Sequence, residues 1–95
     1  MKKPQWPFAS SPNTAVFTSK KIIFGNEWIY YVCHDAEDGA WQFHPVGFTK
    51  EDEVAIVSLE EMCNLDSSIF ELWNLPYGWF AWRPRKDDNW IREPN

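Results

Sequence analysis

The stretch Glu27-Trp28-Ile29-Tyr30-Tyr31-Val32-Cys33-His34, followed across Asp35 to Ala40 by Trp41-Gln42-Phe43-His44, decides the fold. Trp28, Tyr30 and Val32 alternate with Ile29, Tyr31 and Cys33, and all six are β-branched, aromatic or Cys. Both faces of this strand therefore carry apolar groups, and a central place in a sheet is expected for Glu27 to His34. Asp38-Gly39 is a hairpin-type turn dipeptide, and beyond it Trp41 and Phe43 resume the period of two on one side. Two antiparallel strands follow.

Upstream, Ala15 to Thr18 suits a strand, and after the polar Ser19-Lys20-Lys21 a second short apolar run, Ile22 to Phe24, ends at the turn dipeptide Gly25-Asn26. Residues 1–13 hold Pro4, Pro7 and Pro12 and form an irregular arm, with Trp6 and Phe8 placed to staple it to the domain of residues 14–95. Downstream, Pro45 and Gly47 close the hairpin, and a polar connection leads into the strand Val54 to Val57. Ser58-Leu59-Glu60-Glu61 fits a capping box that starts a short helix. Asp66-Ser67-Ser68 offers a second N-cap, after which Ile69, Leu72 and Trp73 have the spacing of one buried helical face. Pro76 and Gly78 stop that helix, Gly78 to Arg83 is a strand, and Trp90-Ile91-Arg92 is a short final strand able to pair with it. The expected fold class is α+β: an antiparallel sheet of about five to six short strands, with one or two short helices inserted before the last hairpin.

A chain of 95 residues is one domain and buries only somewhat more than ~60% of its unfolded surface. Its seven Trp and seven Phe supply burial that small side chains could not, so a core is the first use expected of them. The two cysteines, Cys33 and Cys63, are isolated, and no leader pattern opens the sequence, which points to the reducing cytoplasm. No apolar run approaches the ~18 residues of a membrane span. The net charge of -5 is unevenly placed: from Asp35 to Asp66 the sequence carries nine carboxylates against the single cation Lys50. The basic residues at the two ends are too scattered for a phosphate footprint, so nucleic acid is a poor partner.

The sequence offers little to catalysis. It has no G-x-S-x-G, no Gly-rich phosphate loop and no H-E-x-x-H. Cys33 and His34 are adjacent on a strand and point to opposite faces, so they cannot close a zinc site with His44 or Cys63. Two semi-exposed histidines and two buried free thiols are expected instead, with no cofactor and no enzymatic activity. What remains is protein binding, by a monomer or weak dimer. The candidate partner-binding residues are Asp35, Glu37, Asp38, Glu51, Asp52 and Glu53 as an acidic face, with Trp41 as its apolar anchor, an arrangement suited to a basic protein. A regulatory or adaptor domain that binds another protein or a small molecule is the alternative within the binding class.

Asp38-Gly39-Ala40-Trp41-Gln42-Phe43 and Asn64-Leu65-Asp66-Ser67-Ser68-Ile69, taken with Ala15 to Lys21 and Gly78 to Trp82, resemble a bacterial family of polymorphic-toxin immunity proteins, immunity-protein family thirty-three, formerly a domain of unknown function. The likeness spans about residues 15 to 93. Gln42 stands where that family usually carries arginine, and Gly39 lies one place further from Trp41. The resemblance implies an α+β fold and neutralisation of a toxin domain by direct binding.

Overall fold

The computed structural model describes residues 5–95. Six strands, β1 (Ala15–Ser19), β2 (Tyr31–His34), β3 (Trp41–His44), β4 (Val54–Ser58), β5 (Trp79–Trp82) and β6 (Ile91–Pro94), form one sheet in the order β4-β1-β3-β2-β5-β6. Every pairing is antiparallel except β1 with β3, where Phe17 lies beside Gln42 in a parallel pair. The fold is α+β, as the sequence leads one to expect. The parallel pair arises because the chain leaving β1 skips a place in the sheet, which β3 then fills on its return from the β2–β3 hairpin.

The central hairpin forms where its turn dipeptide puts it. Gly39 has φ +71°, its N–H donates to the Asp35 carbonyl, and the Ala40 N–H donates to Asp38 Oδ1. A Cβ at position 39 would meet the Tyr77 ring at 3.1 Å, so glycine is required by space as well as by backbone. The strand before the turn is shorter than its alternation suggests, beginning at Tyr31 and not at Glu27. The carbonyl of Ile29 accepts from the Arg83 side chain, which draws the preceding segment off the ladder and turns Ile29 into the core.

Ile22 to Phe24 belongs to a helical turn, α1 (Lys20–Ile23), capped by the Ser19 hydroxyl, which accepts from the Lys21 N–H. The Ser58 cap is present: its hydroxyl accepts from the Glu61 N–H at 3.1 Å and opens α2 (Leu59–Leu65). Asp66 then caps a second helical segment, Ser67–Leu72, which is a 3₁₀ helix. With three residues per turn, Ile69 and Leu72 share a face, whereas Trp73 rotates off it and is 53% exposed.

α2 and the 3₁₀ helix cover one face of the sheet and bury Val16, Val32, Phe43 and Ala81 beneath Leu59, Met62, Ile69 and Leu72. The arm completes this layer. Phe8 stands edge-on to Trp41 at 5.6 Å, and Trp6 packs on Phe8 and Phe70. The backbone of Pro12 and Thr14 accepts from Glu60 and Leu59, which fixes the arm to the start of α2. Residues 1–4 of the expected arm lie outside the described residues.

Arg83, 2% exposed, locks the layers together. Its Nη2 donates to Asp66 Oδ2 at 2.6 Å, Nη1 to Ser68 Oγ and Nε to the Ile29 carbonyl, while its guanidinium lies 4.0 Å from the Trp90 ring and 5.8 Å from Trp28. Burial would lift the Asp66 carboxyl, but hydrogen bonds from Arg83 and Ser68 outweigh it and hold the group below its ordinary range. A carboxylate held low contributes stability that is complete above its unfolded pKa and is lost as pH falls through the folded value. Asp66→Asn, which strands a buried guanidinium, should therefore cost ~3 kcal/mol or more at neutral pH. The gap from wild type should narrow as the pH drops below the carboxylate range. Denaturant unfolding at both pH values checks this, and a loss under ~1 kcal/mol at neutral pH would show that the pair holds nothing.

Candidate protein-binding surface

The residues expected to form one acidic face are divided by the sheet. Because β1 runs parallel to β3, the Asp35–Ala40 loop lies at the end of the sheet where β1 begins and β4 finishes, since Ala15 pairs with Ser58. Glu51, Asp52 and Glu53 precede Val54, which pairs with Ser19 at the opposite end. A strand of this length separates the two groups by ~15 Å. Glu53 is further engaged by its neighbours, facing Lys21 Nζ at 3.8 Å and accepting from the Lys50 N–H. The expected single face uniting Asp35, Glu37 and Asp38 with Glu51, Asp52 and Glu53 is thus corrected to two separate groups.

Glu60 and Glu61, exposed in the first turn of α2, take the place of the second cluster. They stand at the same end as Asp35, Glu37 and Asp38, about two to three strand spacings away, or ~10 to 15 Å. Among the described residues this end has no cation: Lys20, Lys21, Lys50, Arg83, Arg85 and Lys86 lie at the other, and Arg92 sits mid-strand on β6, bound to Asn74 and the Glu71 carbonyl. Sequence spacing hides the grouping, because Glu60 and Glu61 look like ordinary helix-start residues.

Trp41 is not an exposed anchor. It is 2% exposed on the covered face, stacked on His34 with centroids 3.9 Å apart. His34 is buried rather than semi-exposed. Its Nδ1 lies 2.7 Å from the Leu75 carbonyl, which can only accept, so that nitrogen carries the proton. The period of two placed Trp41 with Phe43 correctly, and that pairing already points inward once Phe43 is core.

The other face of the sheet has no helix on it among the described residues. Paired positions run across all six strands as Ile56, Phe17, Gln42, Cys33, Phe80 and Glu93. Directly paired residues project to the same side, so these six form one continuous row. Ile56 is 63% and Phe17 43% exposed, with Val54 and Ile91 exposed beside them, and Tyr31 stacks on Phe80 at 5.2 Å. Through the middle runs a polar track: His44 Nε2 lies 3.0 Å from Gln42 Oε1, and Gln42 Nε2 donates to Asp35 Oδ2 at 2.7 Å. The carboxylate accepts, which orients the Gln42 amide, and His44 Nε2 is then the donor. Burial pulls the His44 pKa down against the opposing pull of Asp35, so the ring is neutral. Burial first, with the Cys33 contact and Asp35 behind it, pushes the Tyr31 phenol up to about 12.

Among the described residues no group of His, Cys, Asp and Glu is placed to hold a metal ion, and no helix is long and apolar enough to cross a membrane. A hollow of about 770 Å³ is a polar groove beside Arg83 lined by Asp66, Glu71, Asp87 and Asp88, and a smaller recess of about 340 Å³ lies between Tyr31, His44 and Phe48. Neither is a deep apolar cleft. Comparison with family models, with characterised proteins and with solved structures finds no match to this chain.

Two expected outcomes follow from these placements. Trp41→Ala should cost ~3 to 5 kcal/mol, most of the stability of a small domain, and thermal melting will show it. A variant that melts like wild type would return Trp41 to the surface. The thiols lie on opposite sides of the sheet, Cys63 on the buried side of α2 and Cys33 half-buried on the uncovered face, and both are free. Burial raises both, Cys63 to about 11 with Glu60 adding to it. Alkylation of the native protein at neutral pH should be slow at both, with Cys33 modified first, as mass mapping of the labelled peptides would reveal.

Proposed function

We propose that this chain is a non-enzymatic protein-binding domain that uses the uncovered face of its sheet. One observation carries the reading: the row from Ile56 to Glu93 leaves Ile56 and Phe17 exposed side by side, with Val54 and Ile91 exposed on the same face. Contiguous apolar surface rimmed by polar groups marks interaction sites in small proteins. Tyr31, Phe80 and Trp82 supply rigid rings of the type that dominate interface energetics, and the His44–Gln42–Asp35 track supplies fixed polar registration.

The partner is a basic protein. The cation-free end at Asp35, Glu37, Asp38, Glu60 and Glu61 favours encounter with a positive surface and repels nucleic acid. Both features fit an immunity protein that occludes a toxin domain, the role implied by the resemblance around Trp41 and Asp66. Two free thiols fit the cytoplasm.

The test is binding to the product of the adjacent gene. Phe80→Asp should weaken it at least tenfold while shifting the melting temperature by only a few degrees. Asp38→Asn with Glu60→Gln should slow association and flatten its salt dependence. Unchanged affinity in Phe80→Asp, with fold intact, would remove the uncovered face from the reading.

A further inference from the structure

We infer that β4 is a docking edge, and that the partner adds to it an extended strand whose basic N-terminal end lies beside Glu60 and Glu61. This rests on the protein-binding reading above and specifies how the partner is held.

The two edges of the sheet are built differently. β6, Ile91-Arg92-Glu93-Pro94, carries two charges and a proline, the usual means by which an edge is kept from pairing. β4 is Val54-Ala55-Ile56-Val57-Ser58, with no charge and no proline, and no strand lies beyond it among the described residues. An edge this apolar is an aggregation hazard unless it has an occupant.

The backbone of β4 is available in register. The Leu59 N–H donates to the Thr14 carbonyl, and hydrogen-bonded pairs alternate along an antiparallel ladder. Val57 with Val16, and Ala55 with Thr18, are therefore the bonded pairs, so Ile56 turns both its N–H and its carbonyl away from β1. The Ser58 N–H and Val54 carbonyl point the same way, while the Val54 N–H donates to the Glu51 carbonyl. A strand laid along this edge meets four backbone groups in register, and Ile56 and Phe17 lie on its uncovered side.

Charge selects the occupant. At the Ser58 end stand Glu60 and Glu61, and at the Val54 end Glu51, Asp52 and Glu53 are balanced by Lys20, Lys21 and Lys50. A second copy pairing antiparallel through β4 would set its own Val54 end, where carboxylates and lysines balance, against Glu60 and Glu61 and so offer them no net positive charge. A segment with lysines or arginines at one end matches instead. Antiparallel addition is the better paired mode and places that end first in the incoming strand.

The probe is a short synthetic peptide of alternating Val and Thr preceded by two Lys, compared with the same peptide led by two Glu and with a Lys-led form N-methylated at alternate residues. With the Lys-led peptide, amide exchange at Ile56 and Ser58 should slow at least tenfold. The Glu-led peptide should bind at least tenfold more weakly, and one N-methylation register should abolish binding. Ile56→Lys should weaken the Lys-led peptide without lowering the melting temperature; should that variant fail to fold, the methylated peptide still decides. No slowing at Ile56 and Ser58, or equal binding of the two charge forms, overturns the inference. Slowing that appears with protein concentration alone overturns it in favour of a second copy. Partner binding lost in Phe80→Asp but untouched in Ile56→Lys removes the edge and leaves the face; the reverse pattern removes the face and supports the edge.

Discussion

A single buried guanidinium fixes how this chain closes. Arg83 directly follows β5, yet its donors reach Ile29 before β2, and Asp66 and Ser68 at the start of the 3₁₀ helix, and its flat face rests on Trp90 ahead of β6. Four segments distant in sequence are held by one side chain that cannot lose its charge. A lysine could not do this, since a compact ammonium has neither the fork of donors nor the planar surface that Trp28 and Trp90 use. The desolvation cost is offset only while Asp66 stays ionised; the Arg83 hydrogen bond does most to hold its carboxyl low, and the Ser68 N–H bond that adds to it also caps the helix.

That closure decides which face of the sheet is left bare. Once Asp66 is anchored, the 3₁₀ helix must lie across the face that carries Val32, Phe43 and Ala81, and α2, joined to it at Asp66, lies there too. Phe8 and Trp6 are spent on the same side. Among the described residues no further element covers Phe17, Ile56, Tyr31 and Phe80. The exposed apolar row thus lies on the side of the sheet opposite the layer that Arg83 and Asp66 hold in place.

Much of the fold was legible because it is written locally. The Asp38-Gly39 turn, the Ser58 and Asp66 caps and the placing of Trp41 and Phe43 on one side of their strand each rest on residues within a few places of one another. What escaped is non-local. Arg83 looked like one of several scattered cations, and nothing near it in sequence shows that it is buried. Trp41 looked like an interface residue because an acidic turn precedes it, but the first residue of a hairpin's second strand can face either layer until the helices are placed. Trp73 fell off its expected face because the helix is 3₁₀ and not α, a difference of 0.6 residues per turn that displaces the fourth position. Ile22 to Phe24 is apolar enough for either element, and the Ser19 cap tipped it to a helical turn.

The acidic end depends on the one parallel pair. With β1 parallel to β3, the start of β1 lies beside the central hairpin turn, and β4, antiparallel to β1, must finish there and release its chain into α2. That is why Glu60 and Glu61 join Asp35, Glu37 and Asp38. Were β1 antiparallel to β3, Ser58 would lie at the far end with Arg83, Arg85 and Lys86, and Glu51 to Glu53 would stand beside the turn with Lys20, Lys21 and Lys50 for company. The turn end would then carry six carboxylates against three lysines, in place of five carboxylates with no cation among the described residues, and the pole would be weaker. The uneven charge of this protein is therefore a property of its topology: the composition supplies the carboxylates, and the skipped place in the sheet gathers them beside an apolar edge.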